Sequence, residues 1–67
     1  MTGFSLDQLA RCAEREVQQR HRVYPRLIVS GKMRQEQAAR EIAMMQEIAC
    51  RLRAEAEANP QDNGRLL

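Results

Sequence analysis

Residues 23–33 read Val-Tyr-Pro-Arg-Leu-Ile-Val-Ser-Gly-Lys-Met and lie at the middle of the chain, between two long segments with helical periodicity. Gly31 suits the left-handed conformation that commonly ends a helix, so it predicts the end of a first helix. Pro25 lacks the N–H that an interior helix residue donates, so the helix either kinks there or stops before it. The kinked continuous helix is favoured, because Tyr24 and Ile28 stay in phase with the apolar residues that precede them.

The segment before this reversal begins with a helix-capping pattern. Ser5 can accept a hydrogen bond from the backbone of Gln8, whose side chain can reach back to the backbone of Ser5. Apolar residues then recur at helical spacing, which predicts one apolar face on a helix of about 25 residues. The positions on this face are Leu6, Leu9 or Ala10, Ala13, Val17, Tyr24 and Ile28.

The segment after the reversal predicts a second helix from about Arg34 to Ala58, ended by Asn59 and Pro60. Its apolar residues are spaced alternately by four and by three, as in a heptad repeat. These residues are Ala38, Ile42, Met45, Ala49, Leu52 and Ala56, with Met44 and Ile48 forming a second ridge beside them.

Two long helices joined by a short turn pack antiparallel, so the sequence predicts an all-α helical hairpin. Residues whose numbers sum to about 62 then face each other, for example Ala13 and Ala49. The expected hairpin domain spans residues 5–58, with flexible segments at 1–4 and 59–67.

The apolar surface of the second helix is wider than one neighbouring helix can cover. A chain of 67 residues is also only marginally stable by itself. A symmetric homodimer that forms a four-helix bundle is therefore expected. The residues assigned to the core or the dimer interface are Leu9, Ala13, Val17, Tyr24, Ile28, Ile42, Met44, Met45, Ile48, Ala49 and Leu52.

Catalytic chemistry has little support in the sequence. His21 is the only histidine, and the chain has no Gly-rich phosphate loop and no Ser-His-acid combination, so no enzyme activity and no cofactor are expected. Cys12 and Cys50 lie at the same height of the predicted hairpin but point away from its apolar faces, which favours free thiols. His21 lies more than two helical turns from Cys12, so no metal site is expected.

The charge pattern is more informative than the net charge of +2. Four arginines form a stripe on the first helix opposite its apolar face, and this row is expected to be unpaired. Three pairs elsewhere have the favourable i,i+4 order. The stripe contains Arg11, Arg15, Arg22 and Arg26, and the pairs are Glu16–Arg20, Glu36–Arg40 and Glu47–Arg51.

Such a stripe is either an ordinary solvated face, a docking surface for an acidic partner, or a contact for a phosphate backbone. Val23 and Leu27 are expected to be exposed at the kink beside Arg26, which gives the mixed apolar and arginine character of a protein interface. The residues assigned to partner binding are Arg15, Arg22, Val23, Arg26, Leu27, Lys32 and Arg34.

Residues 16–45 also carry a recognisable pattern, which consists of Glu16, Arg22-Val23-Tyr24-Pro25-Arg26, Gly31-Lys32-Met33, Ala38, Glu41-Ile42 and Met45. This pattern resembles a family of small proteins encoded by phages and prophages of Gram-negative bacteria, which includes a Pseudomonas phage quorum-sensing anti-activator. The resemblance implies a dimeric helical protein that binds a host transcriptional activator or a pilus assembly ATPase. Arg34 departs from the family, which usually has Ser or Thr there as a helix cap. The extra positive charge indicates a partner unlike that of the family member.

The sequence therefore favours a phage-encoded, non-enzymatic inhibitor that masks a host bacterial protein. The alternative is a small DNA-binding transcriptional regulator that places the basic stripe on a phosphate backbone. A third possibility is a structural coiled-coil accessory. No secretory or membrane-spanning segment is recognisable, so the host bacterial cytoplasm is the expected location.

Overall fold

The computed structural model describes residues 3–59 as two α-helices joined by a short turn. Helix α1 spans Leu6–Val29 and helix α2 spans Gln35–Ala58. The helices pack antiparallel, because Asp7 near the start of α1 contacts Arg53 near the end of α2. The all-α hairpin predicted from the sequence is confirmed. Met1, Thr2 and residues 60–67, where flexible segments were expected, lie outside the described residues.

The start of α1 has the predicted capping box. The backbone N–H of Gln8 donates to Ser5 Oγ at 3.0 Å, and the backbone N–H of Ser5 donates to Gln8 Oε1 at 2.8 Å. Asp7 in the first turn adds a negative charge near the positive end of the helix dipole. The start of the hairpin is therefore fixed by local hydrogen bonds that the sequence alone predicts.

Helix α1 continues through Pro25 and ends at the predicted glycine. The N–H of Lys32 donates to the carbonyl of Leu27 at 2.9 Å, and that of Gly31 to the carbonyl of Ile28 at 3.0 Å. These two bonds form a Schellman motif, which requires a left-handed residue, and Gly31 supplies it with a φ of 81°. The chain reverses direction immediately afterwards.

The two ends of α2 differ in how their backbone groups are satisfied. Arg34 occupies the N-cap position and makes no side-chain capping bond, as expected for arginine. At the other end, both the backbone N–H and the side-chain amide of Asn59 donate to the carbonyl of Glu55 at 3.0 Å. The predicted end of α2 at Ala58 is confirmed.

The contact between the helices is built mainly from alanine. The buried apolar residues are Ala10, Ala13, Val17, Ala38, Ala49 and Ala56. Small side chains allow two helices to approach closely, but they bury little apolar surface per residue. Met45 and Leu52 pack against the central cluster, as the heptad spacing of α2 predicts. On α1, Ala10 is fully buried while Leu9 is 41% exposed, so Ala10 is the residue that faces α2.

Candidate functional site

The end of the hairpin that contains the turn presents a group of exposed basic residues around one exposed aliphatic side chain. Val29 is 89% exposed, the highest value among the large apolar residues of the described chain. The basic residues around it lie on the last turns of α1 and in the loop. We call this group the turn surface, and it consists of Arg22, Arg26, Val29, Lys32 and Arg34, all of them exposed.

Helix geometry explains why these residues lie together. Arg22, Arg26 and Val29 are spaced by four and then three residues, so they follow one stripe along α1. The Schellman motif then turns the chain sharply, and the exposed Lys32 and Arg34 follow within five residues of the end of this stripe. The exposure of Val29 could have been predicted from the sequence. Val29 lies on the same side of α1 as Arg22, and away from the apolar face that contains Tyr24 and Ile28.

The positive charge of the turn surface is not neutralised within the hairpin. Among residues 3–59, none of its four basic side chains forms an ion pair, and Arg22 donates only to the neutral Gln19 Oε1 at 3.0 Å. The half of the hairpin nearest the turn, residues 18–42, contains six Lys or Arg residues and two Glu residues. The net positive charge of the chain is therefore concentrated at this end.

The expected basic stripe is shorter than the sequence indicates. Arg11 was expected to be unpaired, but its Nε lies 2.9 Å from Asp7 Oδ2, one helical turn before it. This assignment was wrong because Asp7 precedes Arg11 by four residues, the spacing and order that favour an ion pair along a helix. Arg15 is exposed and lies on the same side of α1, but about 10 Å from Arg22 along the helix.

Val23 and Leu27 also differ from expectation. Both were expected to be exposed at a kink, but both are half-buried, since α1 continues through Pro25 and keeps them at the edge of the contact with α2. The exposed aliphatic residue beside Arg26 is Val29 instead. Val23 and Leu27 can therefore contribute only the border of a contact surface.

Arg20 links the two helices near the middle of the hairpin. Its Nε lies 2.9 Å from Glu16 Oε2, and its Nη1 donates to the backbone carbonyl of Glu41 at 2.8 Å. Its guanidinium also lies over the ring of Tyr24, 5.9 Å from the centroid. The hydrogen bond to Glu16 raises the pKa of Arg20 above its ordinary value.

Two of the three i,i+4 pairs expected from the sequence are confirmed, Glu16–Arg20 and Glu47–Arg51. The third, Glu36–Arg40, was wrong, because no ion pair joins these residues in the described structure. Glu36 lies in the first turn of α2. There its carboxylate interacts favourably with the helix dipole even without a partner side chain.

The end of the hairpin away from the turn has a cluster of ion pairs that we call the ion cluster, formed by Asp7, Glu14 and Arg53. Arg53 Nη1 donates to Asp7 Oδ1 at 2.8 Å, and Arg53 Nε donates to Glu14 Oε2 at 2.9 Å. A further bond joins Arg53 Nη2 to Glu14 Oε1 at 3.2 Å. These hydrogen bonds lower the pKa of both carboxyls and raise that of Arg53. This cluster was not predicted from the sequence.

The remaining candidates are two thiols and two apolar side chains. Cys12 and Cys50 are exposed and free, as expected. Met44 and Ile48, the second ridge of α2, are each 47% exposed, so the contact with α1 leaves them largely uncovered. Within residues 3–59, no group of three or more His, Cys, Asp or Glu side chains lies close enough together to hold a metal ion.

The chain as described here has two helices, and neither is both long and apolar enough to cross a membrane. Its turn surface combines an unpaired positive charge with an exposed aliphatic group, and its ion cluster is satisfied internally. The chain matches no protein-family model, no curated protein and no solved structure.

Proposed function

We propose that this protein is a non-enzymatic inhibitor that binds a bacterial host protein through its turn surface and masks the surface it covers. The observation that supports this proposal is the exposed Val29 together with four basic side chains that form no ion pair among residues 3–59. Arginine beside a desolvated apolar residue is typical of the centre of protein interfaces. An isolated exposed aliphatic side chain would carry little weight without the surrounding charge.

The chemistry of the turn surface indicates what the partner must offer. Arg22 and Arg26 can each bind a carboxylate through two parallel hydrogen bonds, and Lys32 adds a positive charge without fixed geometry. Val29 requires an apolar pocket of about the size of an isopropyl group. The complementary surface is therefore a small apolar depression bordered by Asp or Glu side chains.

Nucleic-acid binding is the second candidate, and the concentration of positive charge at the turn favours it. Two observations support a protein partner instead. Arg11, which would extend a phosphate-binding row along α1, is already paired with Asp7. Val29, at the centre of the turn surface, has no role against a phosphate backbone.

The proposed phage origin and the bacterial host rest on the sequence resemblance of residues 16–45, and the proposed location is the cytoplasm of that host. The resemblance suggests two kinds of host target, a transcriptional activator and a pilus assembly ATPase. Masking by a rod of 49 × 18 × 16 Å is sufficient to block an interface of ordinary size on either.

The test is a pull-down from nuclease-treated bacterial lysate, with the tagged protein as bait and mass spectrometry of the retained proteins. The variant Arg22→Glu/Arg26→Glu reverses two charges of the turn surface. The matched control Arg11→Glu/Arg51→Glu makes the same change in net charge on exposed residues in the other half of the hairpin.

We expect a host protein to be retained by the wild type and the control and lost with Arg22→Glu/Arg26→Glu. Retention by all three proteins would show that the turn surface is not the binding site. Recovery of nucleic acid alone, and only when nuclease is omitted, would support the DNA-binding regulator instead.

A further inference from the structure

A groove runs along the first half of α1, on the side that faces away from α2, and we call it the α1 groove. Its volume is about 480 Å³, which is within the range of small-molecule binding sites in proteins. The residues that line it are Phe4, Gln8, Leu9, Arg11, Cys12 and Arg15. None of these residues belongs to the turn surface, so the groove is a separate feature of the hairpin.

The α1 groove is apolar in one part and cationic in another. Phe4 is 67% exposed and Leu9 is 41% exposed, although both are large apolar residues. Leu9 and Arg11 lie about 160° apart around the α1 axis, and Arg15 lies about 9 Å beyond Leu9 along it. A molecule in the groove therefore meets apolar carbon in one part and guanidinium groups in the other.

Both arginines of the α1 groove can bind an anion. Arg15 forms no ion pair among residues 3–59. Arg11 pairs with Asp7 Oδ2, but its side chain is 68% exposed, and Arg53 Nη1 holds the other oxygen of Asp7 at 2.8 Å. Arg11 can therefore turn to a ligand without leaving the carboxylate of Asp7 unpaired. No Asp or Glu of the described chain lines the groove, so its wall does not repel an anion.

We propose that the α1 groove binds a single-chain aliphatic carboxylate of the fatty-acid type. Its alkyl chain contacts Phe4 and Leu9, and its carboxylate binds Arg15, with Arg11 as the second donor. A guanidinium donates two parallel hydrogen bonds to a carboxylate, and each methylene removed from water adds to the affinity. A small inorganic anion would use only the arginines, and a neutral hydrocarbon only the apolar part. An anion with an alkyl chain uses both.

The groove and the turn surface are far enough apart to be occupied at the same time. Arg15 and Val29 are separated by 14 residues, which is about 21 Å along α1. The ligand therefore does not compete with the partner of the turn surface, and the inference does not rest on the proposed function.

The two cysteines provide a direct test in the unmodified protein. Cys12 lines the groove and Cys50 lies outside it on α2, and both thiols are exposed and free. Iodoacetamide, a neutral reagent, modifies both thiols, and peptide mass spectrometry gives the two rates from one sample. We expect decanoate, below the concentration at which it forms micelles, to suppress most of the modification of Cys12 and to leave the rate at Cys50 unchanged.

The concentration dependence of this protection gives a dissociation constant, which tests the two parts of the groove separately. The shorter homologue octanoate should bind at least about threefold more weakly than decanoate, because less of its chain is removed from water. Decanol, which has the same chain without the charge, should also bind more weakly than decanoate.

The variant Arg15→Gln should raise the dissociation constant of decanoate at least about threefold, because it removes a charged hydrogen-bond donor to the carboxylate. Arg22→Gln is the matched control. It makes the same change at an exposed position of the same helix outside the groove, and it should leave the constant unchanged. Far-ultraviolet circular dichroism on each variant checks that the helices remain.

The proposal would be overturned if decanoate protected neither thiol or protected Cys12 and Cys50 equally. A dissociation constant unchanged by Arg15→Gln would also overturn it. Vesicles of phosphatidylglycerol and phosphatidylcholine provide the last arm, since protection of Cys12 by vesicles and not by free decanoate would indicate contact with a membrane surface instead. None of these measurements involves the host protein, so their failure leaves the pull-down result on the turn surface intact.

Discussion

The two ends of the hairpin differ in how completely their polar groups are satisfied. At the open end, the capping box fixes the start of α1, Asn59 closes α2, and Arg53 bonds to carboxylates of α1. At the turn end, α2 begins without a side-chain cap, and the four basic residues of the turn surface form no ion pair among residues 3–59. The open end holds the fold together, while the turn end retains hydrogen-bond donors that a partner can use.

Charge in this small protein therefore serves two purposes at two places. Donors that are fully used inside a protein cannot also bind a partner, so the ion cluster is a poor candidate for recognition. Donors left unpaired beside an exposed valine contribute little to stability, so their arrangement is better explained by binding.

The largest change in the free energy of unfolding should come from a substitution in the buried contact at the open end. Ala10 is fully buried against α2, so Ala10→Leu forces the helices apart and should lower the free energy of unfolding by about 1–3 kcal/mol. Ala43→Leu makes the same change at an exposed position and serves as the control. Urea unfolding followed by circular dichroism measures both. Equal stability of the two variants would show that the alanine contact does not limit the fold.

Loss of the ion cluster should have the next largest effect on the free energy of unfolding, and the size of this effect should depend on pH. The pKa values of Asp7 and Glu14 are lower in the folded protein, so both carboxyls favour folding above their ordinary pKa values of about 4. This contribution is lost as the pH falls through the folded values. We therefore expect stability to fall below about pH 4, and to fall less steeply in Arg53→Gln.

Arg51→Gln is the matched control for this experiment, since Arg51 pairs only with Glu47 on its own helix. At neutral pH we expect Arg53→Gln to lower the midpoint of thermal unfolding more than Arg51→Gln does. An acid transition identical in the wild type and Arg53→Gln would contradict the role assigned to the ion cluster.

A smaller effect of opposite sign is expected at the start of α2. Replacing Arg34 by serine supplies the missing cap and should raise the free energy of unfolding by about 0.5–1 kcal/mol. The same substitution removes a charge from the turn surface, so it should weaken binding to the host protein. A variant that gained stability and kept full binding would exclude Arg34 from the turn surface.

The smallest effect on stability is expected for the turn surface itself. Arg26→Gln removes a charge that has no ion-pair partner among residues 3–59, so the free energy of unfolding should change by no more than about 0.5 kcal/mol. The same variant should weaken partner binding in the pull-down. A loss of stability of more than about 1 kcal/mol would mean that Arg26 supports the fold after all.

Most of the fold could be predicted because it depends on short-range patterns. The capping box of Ser5 and Gln8 spans three residues, and Gly31 ends α1 through bonds to residues one turn away. The heptad spacing of α2 identified the residues that face α1. Each of these features needs only local geometry.

The candidate site was harder to predict, because side-chain partners across the hairpin are set by rotamers and by the angle between the helices. Arg53 bonds to residues 39 and 46 positions away, a distance that no local pattern encodes. Asp7 precedes Arg11 by four residues in the favourable order, so this pair could have been predicted from the sequence. Val29 was not assigned to the site from the sequence, although it lies seven residues after Arg22 and therefore on the same side of α1.

The position of the ion cluster also affects how the chain folds and unfolds. Contacts near the turn join residues close in sequence and cost little loop entropy, so a hairpin of this kind forms from the turn outward. The bonds of Arg53 close the longest loop and therefore form last and break first. Interactions made after the transition state slow unfolding without speeding folding. We therefore expect loss of the ion cluster to shorten the lifetime of the folded hairpin, and changes around the turn to alter how fast it forms.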